Sequence, residues 1–148
     1  MKQKFISISV AFLSLLLLVA GCRKRDADLA DNLVVFETSA QGITASENSI
    51  TVKLKLVRGT DRDIPVTINL VEEGVVYGTD YTTTPAAAAG KLTVTIPSGN
   101  NETSFTLTKN SGVLFDGDEK IVFDLFSSGT PVFIGVARQF TLSFAELV

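Results

Sequence analysis

Few residues in this 148-residue chain can carry chemistry. There is no His, so there is no imidazole base, no His metal ligand and no Ser-His-Asp or Cys-His arrangement. The single Cys, Cys22, excludes an internal disulfide, a Cys-x-x-Cys redox pair and a thiolate zinc site. Carboxylates, Lys and Tyr remain as proton-transfer groups. The acids Glu72-Glu73 and Asp116-Gly117-Asp118-Glu119 fall in turn-like sequence, where carboxylates are ordinarily solvated. A glycosidase needs two carboxyls facing each other across a cleft, about 5 to 10 Å apart. Ser127-Ser128-Gly129 has no base partner, and no Gly-rich phosphate loop is present. These exclusions predict a protein that is not an enzyme. Tyr77 and Tyr81 flank Gly78-Thr79-Asp80. Aromatic faces stack on sugar C–H groups, so this pair is the candidate ligand-binding site, with a glycan as the ligand. With 13 basic and 16 acidic side chains, the net charge of −3 argues against nucleic acid as a partner.

The surroundings of Cys22 give its thiol a specific role. Lys2 and Lys4 form a basic start, and Phe5 to Ala20 is an apolar run broken only by Ser7, Ser9 and Ser14. Its 16 residues fall just short of a bilayer-spanning helix, which needs about 17 to 25. A basic start, an apolar centre and a small-residue exit make a secretory signal peptide. Leu18-Val19-Ala20-Gly21-Cys22 resembles the lipobox of bacterial lipoproteins. The resemblance implies diacylglyceryl transfer to the Cys22 thiol, cleavage before Cys22 and acylation of the freed amine. Residues 1–21 are then a cleaved leader, and the covalent lipid on Cys22 is the membrane anchor. Two or more acyl chains anchor a protein stably.

Cleavage removes two of the basic groups and no acid, leaving 11 against 16, a net charge of −5. Residues 22–32, with Arg23-Lys24-Arg25 followed by Asp26, Asp28 and Asp31, lack apolar periodicity and read as a solvated tether. The basic triplet suits anionic head groups. Arg23 stands where an Asp signals inner-membrane retention in well-studied Gram-negative systems, so the resemblance implies the outer membrane.

From Leu33 the pattern alternates with period two, as half-buried strands do. Seven strands are expected, around Leu33–Phe36, Ser49–Val57, Val66–Leu70, Leu92–Ile96, Phe105–Leu107, Ile121–Leu125 and Phe140–Phe144. Polar turns separate them, and Ala86–Ala89 falls in a loop between Pro85 and Gly90. No window has helical periodicity. The expected fold is all-β, an antiparallel seven-stranded immunoglobulin-like sandwich over residues 33–148. A small closed barrel is the alternative. Val122, Phe126 and Phe133 are expected to be partly exposed.

The order of the turn motifs resembles the Calx-β domain. Gly78-Thr79-Asp80-Tyr81 is followed by a strand ending at Pro97-Ser98-Gly99, then Thr103 to Leu107, then Asp116-Gly117-Asp118-Glu119 before Ile121 to Leu125. The resemblance covers roughly Leu33 to Leu147 and implies a seven-stranded sandwich. Many Calx-β domains bind Ca²⁺ at one end, and motif matching places Glu47, Asp80 and Asp116 at acidic positions of the family. The family's consecutive Asp residues would fall at Ser111-Gly112-Val113, which have no carboxylates. Ca²⁺ needs six to eight oxygens, so no metal or other cofactor is expected. The expected function is a non-catalytic interaction or accessory module at the cell envelope, with an envelope protein or a glycan as partner; the alternative is a ligand-binding lipoprotein for a glycan or, after it, Ca²⁺.

Overall fold

The computed structural model describes residues 29–145, and the folded unit begins at Asp31. The leader, the lipobox and Cys22 lie outside the described residues. Ten strands follow in chain order: β1 (Asn32–Phe36), β2 (Ala40–Ile43), β3 (Ser49–Leu56), β4 (Ile64–Glu73), β5 (Tyr81–Thr84), β6 (Lys91–Ile96), β7 (Glu102–Lys109), β8 (Lys120–Ser128), β9 (Val132–Ile134) and β10 (Gln139–Phe144). One sheet has the order β5-β7-β3-β1-β9 and the other β2-β10-β8-β4-β6. Both sheets end in edge strands, so the molecule is a sandwich and not a closed barrel.

All seven expected strands are present. The structure adds β2, β5 and β9, so the expected count is corrected from seven to ten. The sandwich is also not wholly antiparallel: β1 pairs in parallel with β9, and β2 with β10. Glu72 and Glu73, read above as turn residues, are the last residues of β4.

Alternation explains the core. β3 buries Ile50, Val52, Leu54 and Leu56 and turns Thr51, Lys53 and Lys55 outward. β6 buries Leu92, Val94 and Ile96, and β10 buries Phe140, Leu142 and Phe144. Phe105 and Phe123 meet across the sheets, with ring centroids 5.0 Å apart, and Phe123 continues to Phe140 at 6.1 Å and on to Phe36 at 5.8 Å. Such tilted contacts suit the ring quadrupole. Register slips between Thr67 and Ile68 where β4 meets β8. Beside this irregularity Phe126 stands exposed, with the Lys91 ammonium 4.6 Å from its ring centroid.

The registers give the sandwich two poles. At the first, the Asn32 side chain bridges the Arg58 N–H and C=O at 3.1 and 2.8 Å. Gly99 N–H donates to Thr60 O at 2.7 Å, tying residues 57–63 to residues 97–101. At the second pole lie residues 44–48, 74–80 and 110–119, together with the exit of β10 at Ala145.

Candidate functional site at the second pole

Glu47, Asp80 and Asp116 belong to three different loops, and the topology brings all three loops to the second pole. The end of β7 stitches the first two together. Lys109 N–H donates to Asn48 O at 2.8 Å, and Asn110 N–H to Asp80 O at 2.9 Å. The Asn110 amide donates to Gly78 O and Thr79 O at 3.0 and 2.8 Å. The Lys109 ammonium donates to Thr44 O and Ala45 O at 2.8 and 3.3 Å, and lies 6.0 Å from the centroid of the Phe115 ring.

Each acid is engaged within its own loop. Glu47 Oε2 accepts from the Thr44 N–H and Thr44 hydroxyl, both at 2.8 Å. These bonds hold the Glu47 carboxyl below its ordinary range. Asp80 Oδ2 accepts from Val76 N–H at 2.7 Å, and Asp116 Oδ1 from Asp118 N–H at 3.2 Å. Glu119 accepts from the Asp116 and Gly117 N–H groups, each at 3.0 Å. Desolvation raises the Glu119 carboxyl, but these backbone donors outweigh it and leave the group below its ordinary range. Among the described residues no three or more Cys, His, Asp or Glu converge on a point where a metal ion could sit. The arrangement is that of side chains satisfying turn donors.

The tyrosines are packed edge to face, with centroids 5.4 Å apart. Tyr81 has no exposed surface and offers no ring face to a ligand. Its hydroxyl donates to Glu72 Oε1 at 2.7 Å, and that oxygen also accepts from Tyr77 N–H at 2.7 Å. Burial pushes the Tyr81 phenol upward, and the bond to Glu72 adds to the effect. Tyr77 is partly buried, and its phenol oxygen accepts from Ala87 N–H at 2.9 Å. Tyr77, Tyr81 and Glu72 therefore brace the 74–80 loop against β4 and the β5–β6 connection.

A polar hollow lies elsewhere. Lys53, Pro97, Asn100, Asn101, Glu102, Thr103 and Ser104 line a volume of about 410 Å³ against the outer face of β3 and β7. It contains no aromatic side chain.

Sequence reasoning missed Lys109, Asn110 and the bracing role of Glu72. Asn110-Ser111-Gly112 carries an ordinary turn signal. Nothing local announces that Lys109 reaches a loop 64 residues earlier in the chain.

No protein-family model matches the chain, and no curated protein matches it. Solved structures do. The apo-form Calx CBD1 domain superimposes with a TM-score of 0.63 at 18% identity, covering 80% of this chain and 99% of that one. The fold is Calx-β-like. The calcium binding domain CBD12 of CALX1.1 matches at a TM-score of 0.61 and 18% identity, over 76% of this chain. This chain spans 45% of that chain's length. A two-domain protein of unknown function from Bacteroides fragilis matches at a TM-score of 0.50 and 14% identity, over 78% of this chain and 45% of that one.

Proposed function

We propose that this chain is a bacterial lipoprotein, anchored through a lipid on Cys22, whose Calx-β-like sandwich is a non-catalytic interaction or accessory module at the cell envelope. The observation that carries the reading is the lone Cys at the end of Leu18-Val19-Ala20-Gly21-Cys22. The geometry supports a non-catalytic module. The acids at the second pole are engaged with backbone donors of their own loops. The outer membrane is the proposed location, from Arg23 after the anchor. The test is localisation of wild type beside Cys22→Ala, with metabolic lipid labelling and protease shaving of intact cells. Labelled, membrane-retained wild type and an unlabelled, released variant are expected. An unlabelled wild type overturns the anchor.

The second pole is proposed to work without Ca²⁺. The Lys109 ammonium already supplies a cation to the carbonyls of Thr44 and Ala45. Its fixed charge takes the place that a divalent ion would need among those loops.

A glycan is the second reading, favoured by the polar hollow beside Lys53 and Ser104 and not by the tyrosine pair. Its amide, hydroxyl and charged groups suit sugar hydroxyls. Binding on a glycan array that is lost in Asn100→Ala but kept in Tyr77→Phe supports it; no binding, or loss in Tyr77→Phe alone, counts against it.

A further inference from the structure

We propose that the first pole of the sandwich rests on the lipid surface, through an apolar patch formed by Leu33, Val57 and Phe133. The proposal rests on the lipoprotein reading above. Three observations place the patch. Leu33 and Phe133 are direct register partners in the parallel β1–β9 pair, and Val57 N–H donates to Leu33 O at 3.2 Å. All three side chains lie on the outer face, because their neighbours Val34, Leu56 and Val132 point into the core. Phe133 is 57% exposed and Val57 63%.

The tether selects the occupant. The chain enters the sandwich at Asn32, beside Leu33, ten residues after Cys22. A fully extended segment of that length reaches about 35 Å at most. A lipid on Cys22 thus keeps the first pole within that distance of the bilayer, at high local concentration. Exposed apolar side chains held there partition into the headgroup boundary, as interfacial anchors do.

Charge points the same way. The second-pole loops carry Glu47, Asp80, Asp116, Asp118 and Glu119, which outnumber the two flanking cations, Lys109 at the end of β7 and Lys120 at the start of β8. In the first-pole segments 57–63, 97–101 and 129–131, Arg58 and Arg62 balance Asp61 and Asp63. An anionic lipid surface repels the second pole and tolerates the first. Arg23-Lys24-Arg25 adds attraction on the same side.

The chain has no Trp, so one introduced Trp is a clean reporter. Full-length lipidated Phe133→Trp, Val57→Trp and Leu114→Trp are purified from membranes. Each is reconstituted in vesicles of phosphatidylethanolamine and phosphatidylglycerol with brominated acyl chains. Leu114, 80% exposed in the 110–119 loop, reports the second pole. Phe133→Trp and Val57→Trp are expected to lose roughly half of their emission to the brominated chains, as interfacial indoles do, while Leu114→Trp keeps its own. Two results overturn the docking while leaving the anchor standing: flotation with the vesicles and lipid on Cys22 but no quenching at positions 57 and 133, or equal quenching at all three positions. Absence of lipid on Cys22 overturns the anchor, and the docking with it.

Discussion

Lys109 places an ammonium group against the carbonyls of Thr44 and Ala45, and the proposal that the second pole works without Ca²⁺ rests on this contact. Lys109→Met keeps the apolar stem and removes the charged donor. It is expected to lower stability by about 1 kcal/mol, the scale of a hydrogen bond, and thermal unfolding of wild type is expected not to shift with Ca²⁺. A rise in the wild-type midpoint with Ca²⁺ would count against the fixed-cation reading, because ligands of the folded state raise it. The tyrosines give a second residue-scale prediction. Desolvation raises the Tyr77 phenol, but its bonds with Thr83 and from Ala87 N–H outweigh it and leave the group lowered. Tyr81 is raised. A raised phenol contributes stability that is complete below its unfolded pKa, near 10, and is lost as pH rises toward the native value. Tyrosinate absorbance is expected to rise first by one phenol, with β-sheet circular dichroism intact. The second phenol should ionise only as that signal collapses. Both phenols ionising with the sheets intact would contradict the packing of Tyr81.

At the scale of elements, the Arg138 guanidinium clasps Asp124 of β8 just before β10 begins, at 2.8 Å from Nε and 2.7 Å from Nη2. The hydrogen bonds from Arg138 hold the Asp124 carboxyl below its ordinary range. A lowered carboxyl contributes stability that is present above the unfolded pKa, near 3.9, and lost as pH falls through the native value. Asp124→Asn is expected to cost about 1 kcal/mol in urea unfolding at neutral pH, because Arg138 is largely solvated. The deficit should vanish at acid pH; one that persists there points to packing instead. The elements legible in the sequence are those with two or more buried apolar residues in alternation, as in β3, β6 and β10. The three that escaped are all sheet edges. β2 buries only Ile43, β5 is Tyr81 and three threonines, and β9 has three residues. Their pairing is fixed by partners far along the chain, as Leu33 fixes Phe133, and local periodicity carries no trace of it. The candidate site shows the same division. The gathering of Glu47, Asp80 and Asp116 at one pole follows from the motif order, whereas the stitching by Lys109 and Asn110 is tertiary.

The whole molecule relies on its apolar core, since one Cys forms no internal cross-link. Phe123 is fully buried and touches the rings of both Phe105 and Phe140. Phe123→Ala is expected to cost 3 to 5 kcal/mol, the usual range for a buried aromatic, and to lower the unfolding midpoint in urea accordingly. A loss below about 1 kcal/mol would mean the two sheets close over the gap, contrary to the close packing of interiors. The polypeptide enters at one pole through β1 and leaves at the other through β10, in different sheets. A pull between Asn32 and the second pole therefore runs along the strands. It loads the hydrogen bonds of the β1–β3, β1–β9 and β2–β10 pairs sideways and together, where a hairpin opened from its end would lose them one at a time. Under such a load the sandwich yields only when a whole row of bonds breaks at once.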